Sequence, residues 1–121
     1  MAVQGTRSPV DPALTAAVKT VAAAPEAPVD HLCCGNLGRL ELLLEAGLRL
    51  GKAGLVERAQ GAAAQGLLRV EREGGFRLDP VTADSDANAP WGFFRGLAGI
   101  TYQLLRLAQP EALPSVLRFG R

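Results

Sequence analysis

Leu37-Gly38-Arg39-Leu40-Glu41-Leu42-Leu43-Leu44-Glu45-Ala46-Gly47-Leu48-Arg49-Leu50 is the stretch whose reading decides the fold class. Leu37, Leu40, Leu44 and Leu48 recur at three- and four-residue steps, the spacing of one face of an α-helix. Glu41, Glu45 and Arg49 are read as its wetter side. Gly51 closes the helix, and a further helical stretch is predicted from Lys52 to Leu67, with Leu55, Ala59, Ala62, Ala63 and Leu67 available for packing. Two helices joined by so short a link lie antiparallel.

Working toward the N-terminus, Asp11 is read as the N-cap of a first helix with Pro12 at its first position. Leu14, Ala17, Val18 and Val21 share a face of it, and Pro25 and Pro28 stop it because each removes a backbone donor. Pro25 to Leu32 is then a connector. Working toward the C-terminus, Arg69 to Leu78 around Gly74-Gly75 is read as a small β-hairpin, since paired glycines supply the positive φ of a tight turn. Asp79 to Trp91 reads as loop. A last helix is predicted from Gly96 to Ala108, ending before Pro110, with Glu111 to Arg121 extended. The fold class expected is all-α, with one short β-hairpin as an addition.

The 121 residues suffice for one small domain, and a hydrophobic content of 48% is enough to form a core. Aromatics make up only 5%, so the apolar faces are built mostly from Ala, Leu and Val and call for close helix packing. A net charge of +1, with both signs mixed along the chain, provides no basic stripe to neutralise phosphates and argues against nucleic acid as a partner. No run approaches the ~20 apolar residues of a membrane span, and Met1 to Arg7 lacks the apolar centre of a signal peptide. The reading is cytoplasmic.

The two cysteines, Cys33 and Cys34, are adjacent, and neighbours rarely close a disulfide because the ring strains the peptide bond between them. In a reducing compartment such a pair is a metal ligand set or a redox site. Adjacent side chains reach one ion only from a turn, and this pair falls just ahead of the helix from Leu37, where free N–H groups suit a negatively charged sulfur. The plainer alternative is two thiols packed as small hydrophobes. His31, the single histidine, is a candidate ligand or base, against the plainer reading of a connector residue with an exposed ring. Trp91, Phe93 and Phe94 are read as a plug at the end of the core rather than a binding platform. Asp79, Asp84 and Asp86 lack EF-hand spacing and are read as a solvated acidic loop. Gly92 to Gly99 has no Walker lysine for phosphate. Cys34-Gly35-Asn36-Leu37-Gly38-Arg39 is echoed by Arg95-Gly96-Leu97-Ala98-Gly99-Ile100, a chance match or an internal repeat in which each glycine pair admits close backbone approach, as stacked helical hairpins of a toroid require.

His31-Leu32-Cys33-Cys34-Gly35-Asn36-Leu37-Gly38-Arg39-Leu40-Glu41 resembles the second zinc motif of the lanthionine synthetase C-like cyclases. Trp91 to Tyr102, then Leu104-Leu105-Arg106-Leu107 and Leu113-Pro114-Ser115-Val116-Leu117, resemble the closing helix and tail of the type 2 lanthipeptide synthetases. The resemblance runs from about Asp11 to Leu117, and it divides the chain into a flexible N-terminus over 1–10 and a C-terminal cyclase fragment over 11–121. It implies a partial α/α toroid with Cys33 and Cys34 as zinc ligands. It also implies Michael addition of a precursor-peptide cysteine to a dehydrated Ser or Thr, with zinc activating the thiol at an open coordination position.

The family's third ligand comes from an earlier cysteine, and none precedes Cys33 in this sequence. The family's catalytic histidine and acidic partner also lie upstream, and His31 does not match their motif. Pro25 to Asp30 departs from the family's usual approach to the cysteines. The expectation is therefore a truncated enzyme fragment that a complementing synthetase chain would complete. Its rivals are a catalytically inactive helical interaction module and a degenerate remnant.

Overall fold

A computed structural model describes residues 10–78 and 91–118. Among them the order is α1 (Val10–Ala23), α2 (Asn36–Leu50), α3 (Ala53–Glu73) and α4 (Leu97–Ala108), with no strand. The all-α class holds, and the arrangement is consistent with an arc of helical hairpins. The acidic stretch Asp79 to Asp86 lies outside the described residues.

Helix α2 is the centre of the packing and touches each of the other three. Leu37, Leu43, Leu44 and Ala46 are buried on it, facing Ala59 and Ala63 of α3 and Ile100 and Leu107 of α4. Small residues bring α2 and α3 together: a Cβ added at Gly47 would meet Val56 backbone and side chain within 3 Å. The two helices run antiparallel, since Val56 near the start of α3 meets Gly47 late in α2, while Arg69 near its end reaches Asp30 ahead of α2. Gly51 takes φ 65° between them, the left-handed turn that glycine enters without penalty. Val18 and Val21 of α1 pack half-buried against this core.

Several expectations change. Helix α1 begins at Val10, so Asp11 lies inside it rather than capping it. The β-hairpin over Arg69–Leu78 does not form. Helix α3 continues to Glu73, and Gly74, at φ 82°, uses its left-handed conformation as the helix C-cap, donating its N–H to Val70 O at 2.9 Å. An Arg69–Glu73 ion pair one turn apart, at 3.1 Å, supports the extra turn, and Phe76 and Leu78 fold back onto the core. The tail is not extended either. It turns at Gln109–Ala112 and Ser115–Arg118 because Arg106 Nη1 donates to the carbonyls of Pro110 and Leu113, at 2.8 and 2.6 Å, and draws the chain around itself. Glu41 and Glu45 are not on a wet side. Glu41 is wholly buried and Glu45 nearly so, each carboxylate paired with Arg106.

Candidate functional site

Residues 32–34 form a turn that ends at Gly35, the extended N-cap of α2. The connector before it is fixed by a buried polar cluster. Asn36 accepts from Ala27 N at 2.7 Å through Oδ1 and donates through Nδ2 to Ala27 O and Asp30 Oδ1, at 3.1 and 2.9 Å. Asp30, 1% exposed, also takes the Arg69 guanidinium on Oδ1 and the Arg77 N–H on Oδ2 at 2.7 Å, while its own N–H donates to Arg77 O. Burial of Arg69 opposes its charge, but its hydrogen bonds to Asp30 and Glu73 outweigh that and hold its pKa above the ordinary value. Glu73, gripped first by Arg77 and then by Arg69, is held below the usual carboxylate range. The end of α3 thus clamps the approach to the cysteines.

Both thiols are exposed and outside any disulfide, which removes the reading of two packed hydrophobes. His31 is 1% exposed, a correction to the exposed ring expected from its place in a connector. Its ring is tucked beneath the turn: Nδ1 lies 3.5 Å from the Cys34 N–H, and Nε2 lies 4.0 Å from Cys34 Sγ. With Nδ1 accepting, a neutral ring carries its proton on Nε2, facing the sulfur. Gly35 is required here, because a Cβ at that position would collide with His31 and Asp30 backbone.

The glycine echo is an architectural repeat. Residues 93–95 form a second turn ending at Gly96, the extended N-cap of α4, as residues 32–34 end at Gly35. A Cβ on Gly38 would strike the Leu32 carbonyl oxygen, and one on Gly99 would strike the Phe93 carbonyl oxygen, six residues back in each case. The first helical bonds match as well, Arg39 N to Gly35 O and Ile100 N to Gly96 O, both 3.3 Å. Corresponding positions meet: Cys33 N donates to Phe94 O at 2.8 Å and joins the two turns side by side. Phe94 therefore stands in the second turn where Cys33 stands in the first.

The family model for lanthionine synthetase C-like proteins matches residues 11–118. The chain belongs to the lanthionine synthetase C-like family. No curated protein and no solved structure matches it. In this lanthionine synthetase C-like chain the aromatic residues depart from the core plug expected of them. Trp91, Phe93 and Phe94 are exposed, Phe94 by 53%, while Leu32 and Ile100 are buried, with Leu32 lying against Gly99 near the start of α4. Phe93 stacks edge-on against Phe94 and Tyr102, with ring centroids 5.2 and 5.5 Å apart.

As metal donors, two soft thiols on one rigid turn suit a thiophilic ion. Among the described residues no group of three or more His, Cys, Asp or Glu side chains is placed to hold one. The turn offers two ligands. Neither of two surface clefts, one between α1 and α3 and one along the C-terminal tail, includes Cys33 or Cys34. The Glu41–Arg106 and Asp30–Arg69 pairs, which set the positions of both turns, escaped the sequence reading. Glu41 carried a signal nonetheless, since it lies four residues after Leu37 and three before Leu44, on their stripe.

Proposed function

We propose that this chain is the C-terminal part of the cyclase domain of a type 2 lanthipeptide synthetase, with Cys33 and Cys34 as two protein ligands of a catalytic zinc. The observation that carries the reading is the pair of exposed thiols on a turn made rigid from both sides, within a chain of the lanthionine synthetase C-like family. Bound zinc would supply Lewis-acid activation of a substrate cysteine. This chain's part is to hold two sulfurs at fixed direction, which the Asp30–Asn36–Arg69 cluster, the Gly35 cap and the His31 ring accomplish. The reaction forms one C–S bond from the cysteine of a precursor peptide to the β-carbon of a dehydrated Ser or Thr, and the α-carbon takes a proton. No residue of this chain is assigned that proton.

The remaining ligands come from water or from a complementing part of the synthetase, and exposed Leu48, Leu67 and Leu105 give such a part apolar surface to cover. No helix among the described residues is long and apolar enough to cross a membrane, and the two free cysteines fit a reducing, cytoplasmic site of action.

Metal loading tests the reading. Cobalt(II) added to the purified chain is expected to bind with thiolate charge-transfer absorption, displaced by zinc, and Cys33→Ala and Cys34→Ala should each abolish it. A folded chain that binds neither metal, both alone and after mixing with a matching N-terminal cyclase part, removes the zinc role. Cyclisation is then read on a dehydrated precursor as loss of alkylatable thiol after mixing with a matching N-terminal cyclase part. Ring formation that persists in both variants would refute the assignment of the pair.

A further inference from the structure

We propose that the turn over residues 93–95 is a substrate-positioning wall of the cysteine site, on which Phe94 receives an apolar side chain next to the reacting cysteine of the peptide. The inference rests on the zinc–thiol reading above.

The placement follows from the repeat. The two turns share the same backbone pattern, including the extended N-cap glycine and the carbonyl lodged against the glycine three residues into the helix. A shared backbone sends the side chain at each position in the same direction relative to its own helix. Phe94 and Cys33 are the corresponding residues, and the backbone bond from Cys33 N to Phe94 O sets them directly beside each other. A peptide that brings a sulfur to Cys33 and Cys34 therefore arrives against Phe94.

The ring is also held ready. The Phe93 carbonyl is wedged against Gly99, Phe93 is stacked between Phe94 and Tyr102, and the Tyr102 hydroxyl donates to Pro114 O at 2.6 Å. An aromatic ring fixed in place loses little freedom on contact with a ligand. Its half-exposed face is apolar surface not used by the core of this chain. Burying such a face against an aliphatic side chain corresponds to a preference of about five- to tenfold in affinity.

The test is calorimetric titration of the zinc-loaded chain with two short peptides, one with cysteine flanked by leucine and one with cysteine flanked by serine. The wild type is expected to bind the leucine peptide about five- to tenfold more tightly. Phe94→Ala should bind both peptides alike while taking up the same amount of zinc, and Phe94→Leu should keep most of the preference. Equal affinities in the wild type, or a preference that survives Phe94→Ala, would overturn the wall and leave the zinc reading standing. A wild-type chain that takes up no zinc, alone or joined by a matching N-terminal cyclase part, overturns both together.

Discussion

Arg106 of α4 grips Glu41 of α2 with its Nε 2.9 and 3.0 Å from the two carboxylate oxygens, where neither side chain meets water. Gln103 Nε2 and Ser115 Oγ donate to the same carboxylate at 2.6 and 2.5 Å, and Arg106 reaches Glu45 at 2.7 Å. The helices that carry the two turns are thus locked to each other and to the tail through one buried charge.

Removing one partner leaves the other charged and dry, which costs far more than the intact pair contributes. Arg106→Ala is expected to lower unfolding free energy by about 3–5 kcal/mol, a large share of what a small domain has. The double variant Glu41→Leu with Arg106→Met should lose less, because the Glu41 charge goes with its partner and Glu45 keeps the Arg118 guanidinium at 2.6 Å. Urea unfolding followed by far-UV circular dichroism reads both, and equal losses in the two variants would contradict the buried-pair account.

Glycines should divide by environment. Gly38→Ala forces a Cβ into the Leu32 carbonyl oxygen, a backbone atom that cannot turn aside, and is expected to cost about 1–3 kcal/mol or more. Gly61, inside α3 with open space around its Cα, should behave in the opposite way, with Gly61→Ala adding roughly 1 kcal/mol of helix propensity. Thermal midpoints of the two variants on opposite sides of the wild type are the expected result.

Acid should act through the clamp at the end of α3. Glu73 is held below the usual carboxylate range, mainly by the Arg77 hydrogen bond at 2.6 Å. A carboxylate whose folded pKa is depressed contributes stability that is fully present above its unfolded pKa, about 4.3, and is lost as pH falls through the folded value. The wild type is therefore expected to lose more stability than Glu73→Gln as pH is lowered from about 5 to about 3. Parallel losses in urea midpoint over that range would remove Glu73 from the account.

Leucine periodicity makes α2 legible in the sequence almost to the residue, and the turn carrying Cys33 and Cys34 follows from Gly35 just ahead of it. The end of α3 is not legible, because Gly74-Gly75 serves a helix cap as well as a hairpin and the deciding contacts, Arg69 with Asp30 and Glu26, are remote in sequence. The glycine echo is visible, yet its meaning depends on where two carbonyls lie. Charge argued Glu41 into water and ring polarity argued His31 there. Both are buried because a partner distant or hidden in the turn satisfies them. The exposed aromatics show the converse, since nothing in the composition of residues 91–94 reveals that they stay on the surface while Leu32 and Ile100 are buried.

His31 is expected to be a positioning residue for Cys34 rather than a ligand. His31 Nδ1 lies 3.5 Å from Cys34 N and Nε2 lies 4.0 Å from Cys34 Sγ, long contacts that coordination at the sulfur would tighten, with Nε2 the donor when Nδ1 accepts. His31→Phe keeps a buried ring and removes the donor, and it should weaken zinc binding roughly tenfold, within the range of orienting partners around metal ligands. His31→Gln restores an N–H near the same place and should recover part of the affinity. Competition against a chelating dye measures both, with unfolding midpoints taken in parallel. A loss that tracks stability alone and ignores the Gln rescue would make His31 a packing residue and nothing more.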